Sequence, residues 1–256
     1  MNIENATVKY FRIGKVDEKA RVVGTKELDP EKLPYEHLKY YYDDKGRVVR
    51  FEKYERDFPR PVVRTYKYEG DSPSVKESEW FDRFGNLRGI HRYECDAKGF
   101  MVRREELDAD RNLKYYIKSK YDEKGRLIEE AWYNPDDTLE KRDVLGYDDD
   151  ESMDPAWEEK YDAKNEHIGT FYYKYDDRGN LIEKKWYNAK DELQSYYKYK
   201  YNDDDLLIWL ALYDENDNLQ MYHEFEYDKV GNKITEKLFT GDGTLAKIDK
   251  WPGVTN

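Results

Sequence analysis

The sequence predicts an all-β fold, a long antiparallel meander of about 19 strands built from 26-residue repeats. One short turn motif recurs along the chain, at steps that mostly alternate between 12 and 14 residues. The segments between motifs are 7 to 9 residues long and rich in Tyr, Trp, Ile, Lys and Glu, which is typical of strands. None of them has a sustained helical period, so no helix is predicted.

The turn motif is clearest in residues 42–49 (YDDKGRVV), 121–128 (YDEKGRLI) and 175–182 (YDDRGNLI). A sister motif, as in residues 133–139 (YNPDDTL), has Asp or Asn where the first motif has glycine. Copies of the two motifs begin at Val16, Leu28, Tyr42, Tyr54, Tyr68, Phe81, Cys95, Leu107, Tyr121, Tyr133, Tyr147, Tyr161, Tyr175, Tyr187, Tyr201, Tyr213, Tyr227 and Phe239.

The repeat runs through the whole chain, which predicts a single β-repeat domain over residues 1–256. Two places interrupt the pattern. A 13-residue step spans residues 70–73, and three consecutive 14-residue steps between Tyr133 and Tyr175 include Pro155. Proline is poor in a central strand, so we expect bulges or kinks near residues 70–74 and 148–156.

Each motif has the chemistry of a hairpin turn. The Asp or Asn after the aromatic residue suits the start of a type I turn, because its side chain can cap backbone N–H groups. Three residues later the backbone needs a positive φ, which Gly adopts freely and Asp or Asn tolerates best among other residues. In this geometry Tyr175 is expected to pair across the hairpin with Leu181. The positive-φ positions are Gly46, Gly99, Gly125, Gly179 and Gly231 in the first motif, and Asp137, Asn165, Asp191 and Asp217 in the sister motif.

The alternation of 12 and 14 residues also predicts a slip between strands. The register shifts by two residues for every two strands, about 6.7 Å along the strand against about 9.6 Å across the sheet. This corresponds to a tilt near ~35°, as in rolled sheets, so we expect a strongly coiled or curled sheet. Alternation of side chains places tyrosine rows such as Tyr173 and Tyr199 on one face and a stripe with Trp132 and Trp186 on the other. Charged residues are interleaved on both faces, which predicts a largely single-layer sheet.

Composition restricts the partners. Charged residues make up 40% of the chain and the formal net charge is −12, which opposes binding to nucleic acids and to anionic membranes. The hydrophobic fraction is 38% only because it includes 26 tyrosines, and tyrosine can lie half-exposed on a sheet. A single cysteine and the absence of a long apolar run lead us to expect a cytoplasmic protein, unless a targeting segment has been removed.

The motif copies at Tyr42, Tyr121 and Tyr175 resemble the YD repeats of the bacterial RHS family, and more so than the Gly-rich repeats of the MORN or YwqK type. The resemblance implies a bacterial β-repeat scaffold with a coiled sheet, which in some members of the family forms a shell around a toxic C-terminal domain. This chain differs in alternating two motif types within each repeat.

The candidate binding residues are aromatic: Trp132, Trp157, Trp186, Trp209, Tyr173 and Tyr199. Such side chains can stack on sugars or on the side chains of a partner. The favoured interpretation is that most of them form cross-strand pairs that stabilise a thin sheet. Recognition is expected where a row is interrupted, near Trp157 or Trp209.

No catalytic residue, metal site or cofactor is predicted, because no Ser or Cys lies in a nucleophile elbow and the histidines are several strands apart. The acidic residues Asp148, Asp149, Asp150 and Asp154 are a weak candidate for binding a hard cation, and a solvated loop is the favoured interpretation.

The expected function is therefore a non-catalytic scaffold, not an enzyme, that binds another protein. Two alternatives remain open at this point. One is a carbohydrate-binding module that uses the Tyr and Trp rows. The other is a component of an RHS-like toxin–immunity or secretion locus.

The turn assignment is testable at Gly125 and Gly179. Replacing either by Val should destabilise the protein by about 1 kcal/mol or more, because a β-branched residue is strained at positive φ. Melting temperatures of both variants that equal that of the unchanged protein would refute the assignment.

Overall fold

A computed structural model of the chain describes residues 6–12, 15–16, 22–23, 27–31, 33, 37–55, 57–148 and 152–252. In these residues all twenty elements of regular structure are strands, and eighteen of them belong to one antiparallel meander sheet. The other two strands form a small sheet of their own. The predicted all-β meander is therefore confirmed.

The strands are β1 (Thr7–Arg12), β2 (Lys15–Val16), β3 (Val22–Val23), β4 (His37–Tyr42), β5 (Val48–Tyr54), β6 (Val62–Tyr68), β7 (Val75–Phe81), β8 (Leu87–Cys95), β9 (Met101–Leu107), β10 (Leu113–Tyr121), β11 (Leu127–Tyr133), β12 (Leu139–Gly146), β13 (Trp157–Tyr161), β14 (His167–Tyr175), β15 (Leu181–Asn188), β16 (Leu193–Tyr201), β17 (Leu207–Asp214), β18 (Leu219–Tyr227), β19 (Lys233–Thr240) and β20 (Leu245–Lys250).

Packing divides the chain into two compact units. Unit 1 consists of Met1–Ser119 and Tyr133–Asp137, and unit 2 consists of Lys120–Trp132 and Thr138–Asn256. Within each unit, each described strand of the large sheet contacts only the strands on either side of it. This confirms the predicted single-layer arrangement inside each unit.

The first part of unit 1 departs from the predicted meander. Val16 pairs with Val22, six residues on, as the motif at Val16 predicts. The main sheet, however, passes directly from β1 to β4, with Thr7 opposite Tyr42. The continuous meander predicted through this region is therefore wrong. A physical reason is that Pro30 and Pro34 lie in the intervening segment, and proline lacks the N–H that an inner strand needs.

The hairpin turns have the predicted conformation. In the turn after β4, the carboxylate of Asp43 accepts hydrogen bonds from the backbone N–H groups of Lys45 and Arg47, at 3.0 and 2.8 Å. The N–H of Gly46 donates to the carbonyl of Asp43 at 3.0 Å, and the φ of Gly46 is +75°. The nine positive-φ positions predicted from the motifs all have positive φ. Arg111 and Asp205, at the same position of the motif copies at Leu107 and Tyr201, also have positive φ.

A bulge follows at least seven of the nine predicted turns, and the register confirms the predicted slip. Tyr175 pairs with Leu181, and Lys174 pairs with Glu183, so Ile182 is an extra residue. Glu183 in turn pairs with Lys198, which lies 24 residues after Lys174. The repeat is 26 residues long, so the register slips by two residues for every two strands. The strong coiling that this slip implies stays a prediction.

The bulge also changes which residues share a face. Because it adds one residue, the alternation of side chains is shifted after every turn. Tyr173 pairs with Lys184, and Phe171 pairs with Trp186, with a ring-centroid separation of 4.5 Å. Tyr173 and Trp186 therefore lie on the same face, and the predicted separation of tyrosine rows from the tryptophan stripe is wrong here.

The recurring tyrosine joins successive hairpins. The hydroxyl of Tyr201, at the end of β16, donates to the carbonyl of Leu181, at the start of β15, at 3.0 Å. Burial raises the pKa of Tyr201 to about 12, so this hydroxyl keeps its proton and remains a donor. Equivalent bonds spanning 20 residues run from Tyr68 to Val48, Tyr147 to Leu127, Tyr175 to Pro155 and Tyr227 to Leu207.

Replacing Tyr201 by Phe should lower the free energy of unfolding by about 1–2 kcal/mol, because the carbonyl of Leu181 loses its hydroxyl donor. Denaturant unfolding measures this change. Tyr172→Phe is the matched control, since Tyr172 is 45% exposed and its hydroxyl has no hydrogen-bond partner among the described residues. Equal losses in the two variants would contradict a stabilising role for the tyrosine hydroxyl.

Candidate functional site

Unit 2 has a groove of about 420 Å³ on one face of strands β14 to β17. We call it the β14–β17 groove. Ile182 and Tyr199 border it. The side chains that define its chemistry are those of Lys174, Glu183, Lys198, Lys200, Trp209 and Tyr213. A second hollow of about 380 Å³ is lined by Tyr172, Lys185, Tyr187 and Asp191.

Strand register places the groove residues on one face. Lys174 pairs with Glu183, and Glu183 pairs with Lys198, so these three side chains form a row across β14, β15 and β16. Lys200 lies two residues beyond Lys198 and pairs with Trp209 on β17. Directly paired residues in an antiparallel sheet present their side chains to the same face, so three lysines and a tryptophan converge.

The three lysines of the groove carry their charge without an ion pair in the described part of the chain. Lys174, Lys198 and Lys200 are exposed, and no ion pair among the described residues includes any of them. Glu183 lies between Lys174 and Lys198 in the row, but its carboxylate forms an ion pair with the ammonium of Lys185, at 2.9 Å. That hydrogen bond raises the pKa of Lys185. The groove thus holds three lysines that make no ion pair among the described residues, with Glu183 between two of them in the row.

Elsewhere in the described chain, lysines often engage carboxylates. Lys160 lies 2.8 Å from Glu158 and 2.9 Å from Asp143, and both carboxylates are almost fully buried. Burial by itself lowers the pKa of Lys160, but the two carboxylates outweigh it and the pKa is raised. The ammonium of Lys160 is therefore paired with carboxylates, unlike the ammonium groups of the groove.

Aromatic rings form the floor beneath the lysines. The ammonium of Lys200 lies 4.5 Å from the ring centroid of Trp209, and that of Lys198 lies 5.3 Å from the ring centroid of Tyr213. Tyr213 stacks on Tyr196 at 4.7 Å with an interplanar angle of 3°. Burial and a hydrogen bond to Asp217 raise the pKa of Tyr196 to about 12. Such cation–π contacts hold the ammonium groups above a flat apolar surface.

Of the six predicted aromatic residues, Trp209 alone presents its side chain in the β14–β17 groove. Tyr199 borders the groove, but its ring lies beside Tyr197, with a centroid separation of 6.4 Å, on the opposite face of β16. Trp132, in unit 2, lies beneath the ammonium of Lys141 at 4.3 Å.

The other three predicted aromatic residues pack within the sheet. Tyr173 is buried, and its hydroxyl donates to Glu158 at 2.6 Å. The indole of Trp157 covers Gly146 on the paired strand. Trp186 covers Gly169 in the same way, on the strand next to it. In each of these pairs an added Cβ would overlap the indole ring.

Sequence reasoning missed the three lysines of the groove. A signal was present, since Lys174 and Lys200 each precede a motif tyrosine and Lys198 lies two residues before Lys200. What marks the groove is that three lysines without an ion pair to any described residue lie on one face beside Trp209. That property depends on strand register and could not be read from the motif alone.

The acidic candidate for cation binding falls only partly within the structure. Asp149 and Asp150 lie outside the described residues. Asp148 and Asp154 are described, and the backbone carbonyl of Asp154 accepts a hydrogen bond from the hydroxyl of Ser152 at 2.9 Å. Among the described residues, no group of three or more His, Cys, Asp or Glu side chains is placed to hold a metal ion. The described part of the chain also contains no helix with the length and apolarity needed to cross a membrane.

Unit 1 contains a buried polar chain of its own. The hydroxyl of Tyr93 lies 3.0 Å from that of Ser78 and 3.2 Å from Nδ1 of His91, whose Nε2 contacts the carboxylate of Glu106. Burial by itself raises the pKa of Glu106, but the hydrogen bond and charge of His91 outweigh it and lower the pKa. These groups satisfy one another, as buried polar groups in folded proteins generally do.

The repeated hairpins and the single-layer sheet define the chain as an all-β repeat protein. No family model matches the chain, and no curated protein matches it significantly.

Among solved structures, the chain is similar to part of the TcdB2-TccC3-Cdc42 crystal structure, with 14% identity and a TM-score of 0.36. That likeness covers 84% of this chain but only 12% of the other. A porin-like protein from Bacteroides uniformis is 8% identical, with a TM-score of 0.44, and the match covers 94% of this chain and 96% of the other. A porin-like protein from Bacteroides vulgatus is 14% identical, with a TM-score of 0.31 and coverage of 95% and 98%. Likenesses this remote carry no argument about function.

The packing of Trp157 on Gly146 is testable. Gly146→Ala should destabilise the protein by about 1–3 kcal/mol, because the new methyl group would displace the indole from its partner strand. Thermal unfolding measures the loss. The control is Ser195→Ala, at a half-buried position in a strand of the same unit. Gly243→Ala is less suitable, because Gly243 has positive φ. A Gly146→Ala variant as stable as the Ser195→Ala control would show that Trp157 does not need the glycine.

Proposed function

We propose that the chain is a non-catalytic β-repeat scaffold that binds another protein through the β14–β17 groove. The observation that carries the proposal is the set of three exposed lysines on one face of the sheet that form no ion pair with any described residue, two of which lie above aromatic rings. As a scaffold the chain would position a partner and would perform no chemistry itself.

The groove has the composition of a recognition surface. Aromatic residues are enriched at protein interfaces because they offer large contact area at low entropic cost. Trp209 and Tyr213 are half-buried, so part of each ring remains available to a partner. Both are held on strands rather than on loops, and rigid elements position binding residues more precisely than loops do.

A carbohydrate-binding module is the second candidate, because Trp209 and Tyr213 offer ring faces on which a sugar could stack. The lysines favour a protein partner over a neutral sugar, since a neutral sugar would leave three ammonium groups without a counter-charge. The finer assignment to the YD-repeat family rests on the motif copies at Tyr42, Tyr121 and Tyr175. We propose it, with a role in an RHS-like locus, on that basis alone.

Site-specific photocrosslinking tests the proposal. Ile182 borders the groove and carries no charge, so replacing it by p-benzoylphenylalanine leaves all three lysines in place. In a lysate of the cells that naturally produce the chain, irradiation should give a protein adduct at this position. The adduct should disappear when Lys198→Glu and Lys200→Glu are added, because charge reversal repels the partner.

The matched control has the same photoreactive residue at Ile168, which is 48% exposed and lies outside the groove lining in the same unit. It should give no such adduct. Equal adducts at both positions, or none at either, would contradict the proposed interface. An adduct that contains sugar but no peptide would favour the carbohydrate-binding alternative.

A further inference from the structure

The following inference concerns the chemistry of the partner that binds the same groove, and it therefore rests on the proposed function. We infer that the β14–β17 groove takes an extended acidic peptide segment of the partner. Carboxylates of the segment contact Lys198 and Lys200, Lys174 adds positive charge to one side, and an apolar side chain of the segment packs on Trp209.

Charge complementarity supports an acidic occupant. The chain as a whole is acidic, with a net charge of −12, yet these three lysines are exposed without an ion-pair partner among the described residues. Glu183, the one carboxylate in the row, is engaged by Lys185. A bound carboxylate would supply the missing counter-charge, and charge-assisted hydrogen bonds of this kind are stronger than neutral ones.

Lysine spacing sets the spacing of the carboxylates. Lys174 and Lys198 lie two strands apart, which corresponds to about 9.6 Å between strand axes. Lys198 and Lys200 lie on the same side of β16, which corresponds to about 6.7 Å. In an extended peptide, side chains two and three residues apart are separated by about 7 and 10 Å. An extended segment along β16 with acidic residues at i and i+2 therefore matches Lys198 and Lys200, and Lys174 lies to one side of it.

The surroundings favour a short segment over a long polyanion. Asp176 and Asp177 follow Lys174 in the turn after β14, and Asp203, Asp204 and Asp205 follow Lys200 in the turn after β16. These acidic turns limit the basic surface to the width of the groove. A nucleic acid needs a continuous basic track, and it would meet these carboxylates on leaving the groove.

Trp209 supplies the apolar contact. Its ring is half-buried beneath the ammonium of Lys200 and lies 6.4 Å from the ring of Tyr222. Ile182, the extra residue of the bulge, borders the groove. An aromatic or branched side chain on the same face of the segment as its acidic residues would therefore remove apolar surface from water while those residues contact the lysines.

A binding measurement with defined peptides tests the inference. The probe is a fluorescein-labelled peptide with glutamates at i and i+2 and a phenylalanine at i+4, which share one face of an extended chain. The matched peptide has glutamine in place of each glutamate. Fluorescence anisotropy should show binding of the glutamate peptide that weakens as salt rises from about 0.05 to 0.5 M, and about tenfold or weaker binding of the glutamine peptide.

Variants of the full chain locate the binding. The pair Lys198→Glu and Lys200→Glu should weaken binding of the glutamate peptide about tenfold or more. The pair Lys164→Glu and Lys229→Glu makes the same charge change at exposed turn positions of the same unit and should leave binding within about twofold. Trp209→Phe should weaken binding less than charge reversal does. Circular dichroism confirms that each variant retains its sheet.

The outcomes separate the inference from the proposed function. Equal binding of the two peptides, or equal losses in the two lysine pairs, overturns the acidic-segment inference. The same holds if a sulfated oligosaccharide binds the groove and the glutamate peptide does not. If the peptide fails while Ile182 still gives a protein adduct, only the partner chemistry is wrong. If both experiments fail, the proposed function is wrong as well.

Discussion

The hydrogen bond from a motif tyrosine to the carbonyl at the start of the neighbouring strand is the interaction on which the sheet depends. A sheet one layer deep has no second layer to hold its strands in register, so stability must come from contacts along the sheet itself. The bond between Tyr201 and Leu181 joins one hairpin to the hairpin before it, and its equivalents recur at the same spacing. Tyrosine suits these positions, since its ring spans the gap and its hydroxyl reaches the carbonyl.

The bulge beside each turn has an equally wide effect. One extra residue, such as Ile182, shifts the alternation of side chains and brings tyrosines and tryptophans to a shared face. Tryptophans then need space on the neighbouring strand, and glycines provide it at Gly146 and Gly169. Two of the residues that the sequence predicted as binding candidates, Trp157 and Trp186, are therefore used in packing. Trp209 differs because its paired residue is Lys200, whose ammonium lies over the ring.

Charge is organised locally in this protein. Carboxylates and ammonium groups pair within and across strands, as in the cluster of Lys160, Asp143 and Glu158. A repeat of this kind can tolerate many charges because most of them have a nearby counter-charge. In the β14–β17 groove, three lysines without an ion pair among the described residues lie on one face with Trp209 and Tyr213. That coincidence, rather than any single residue, is the reason to regard the groove as a binding surface.

The sequence by itself determined the strands, the turn conformations and the two-residue slip, because each depends on local spacing and on which residues accept positive φ. Gly46 and Asp137 could be assigned from the motif alone. It also suggested Trp209, but not its lysine neighbours. Only the tertiary structure decided which side chains share a face, since the bulges shift the alternation. It also decided that the main sheet passes from β1 to β4. It brought Lys174, Lys198 and Lys200 together on one face without an ion-pair partner in the described chain, because pairing across strands depends on register rather than on sequence neighbours.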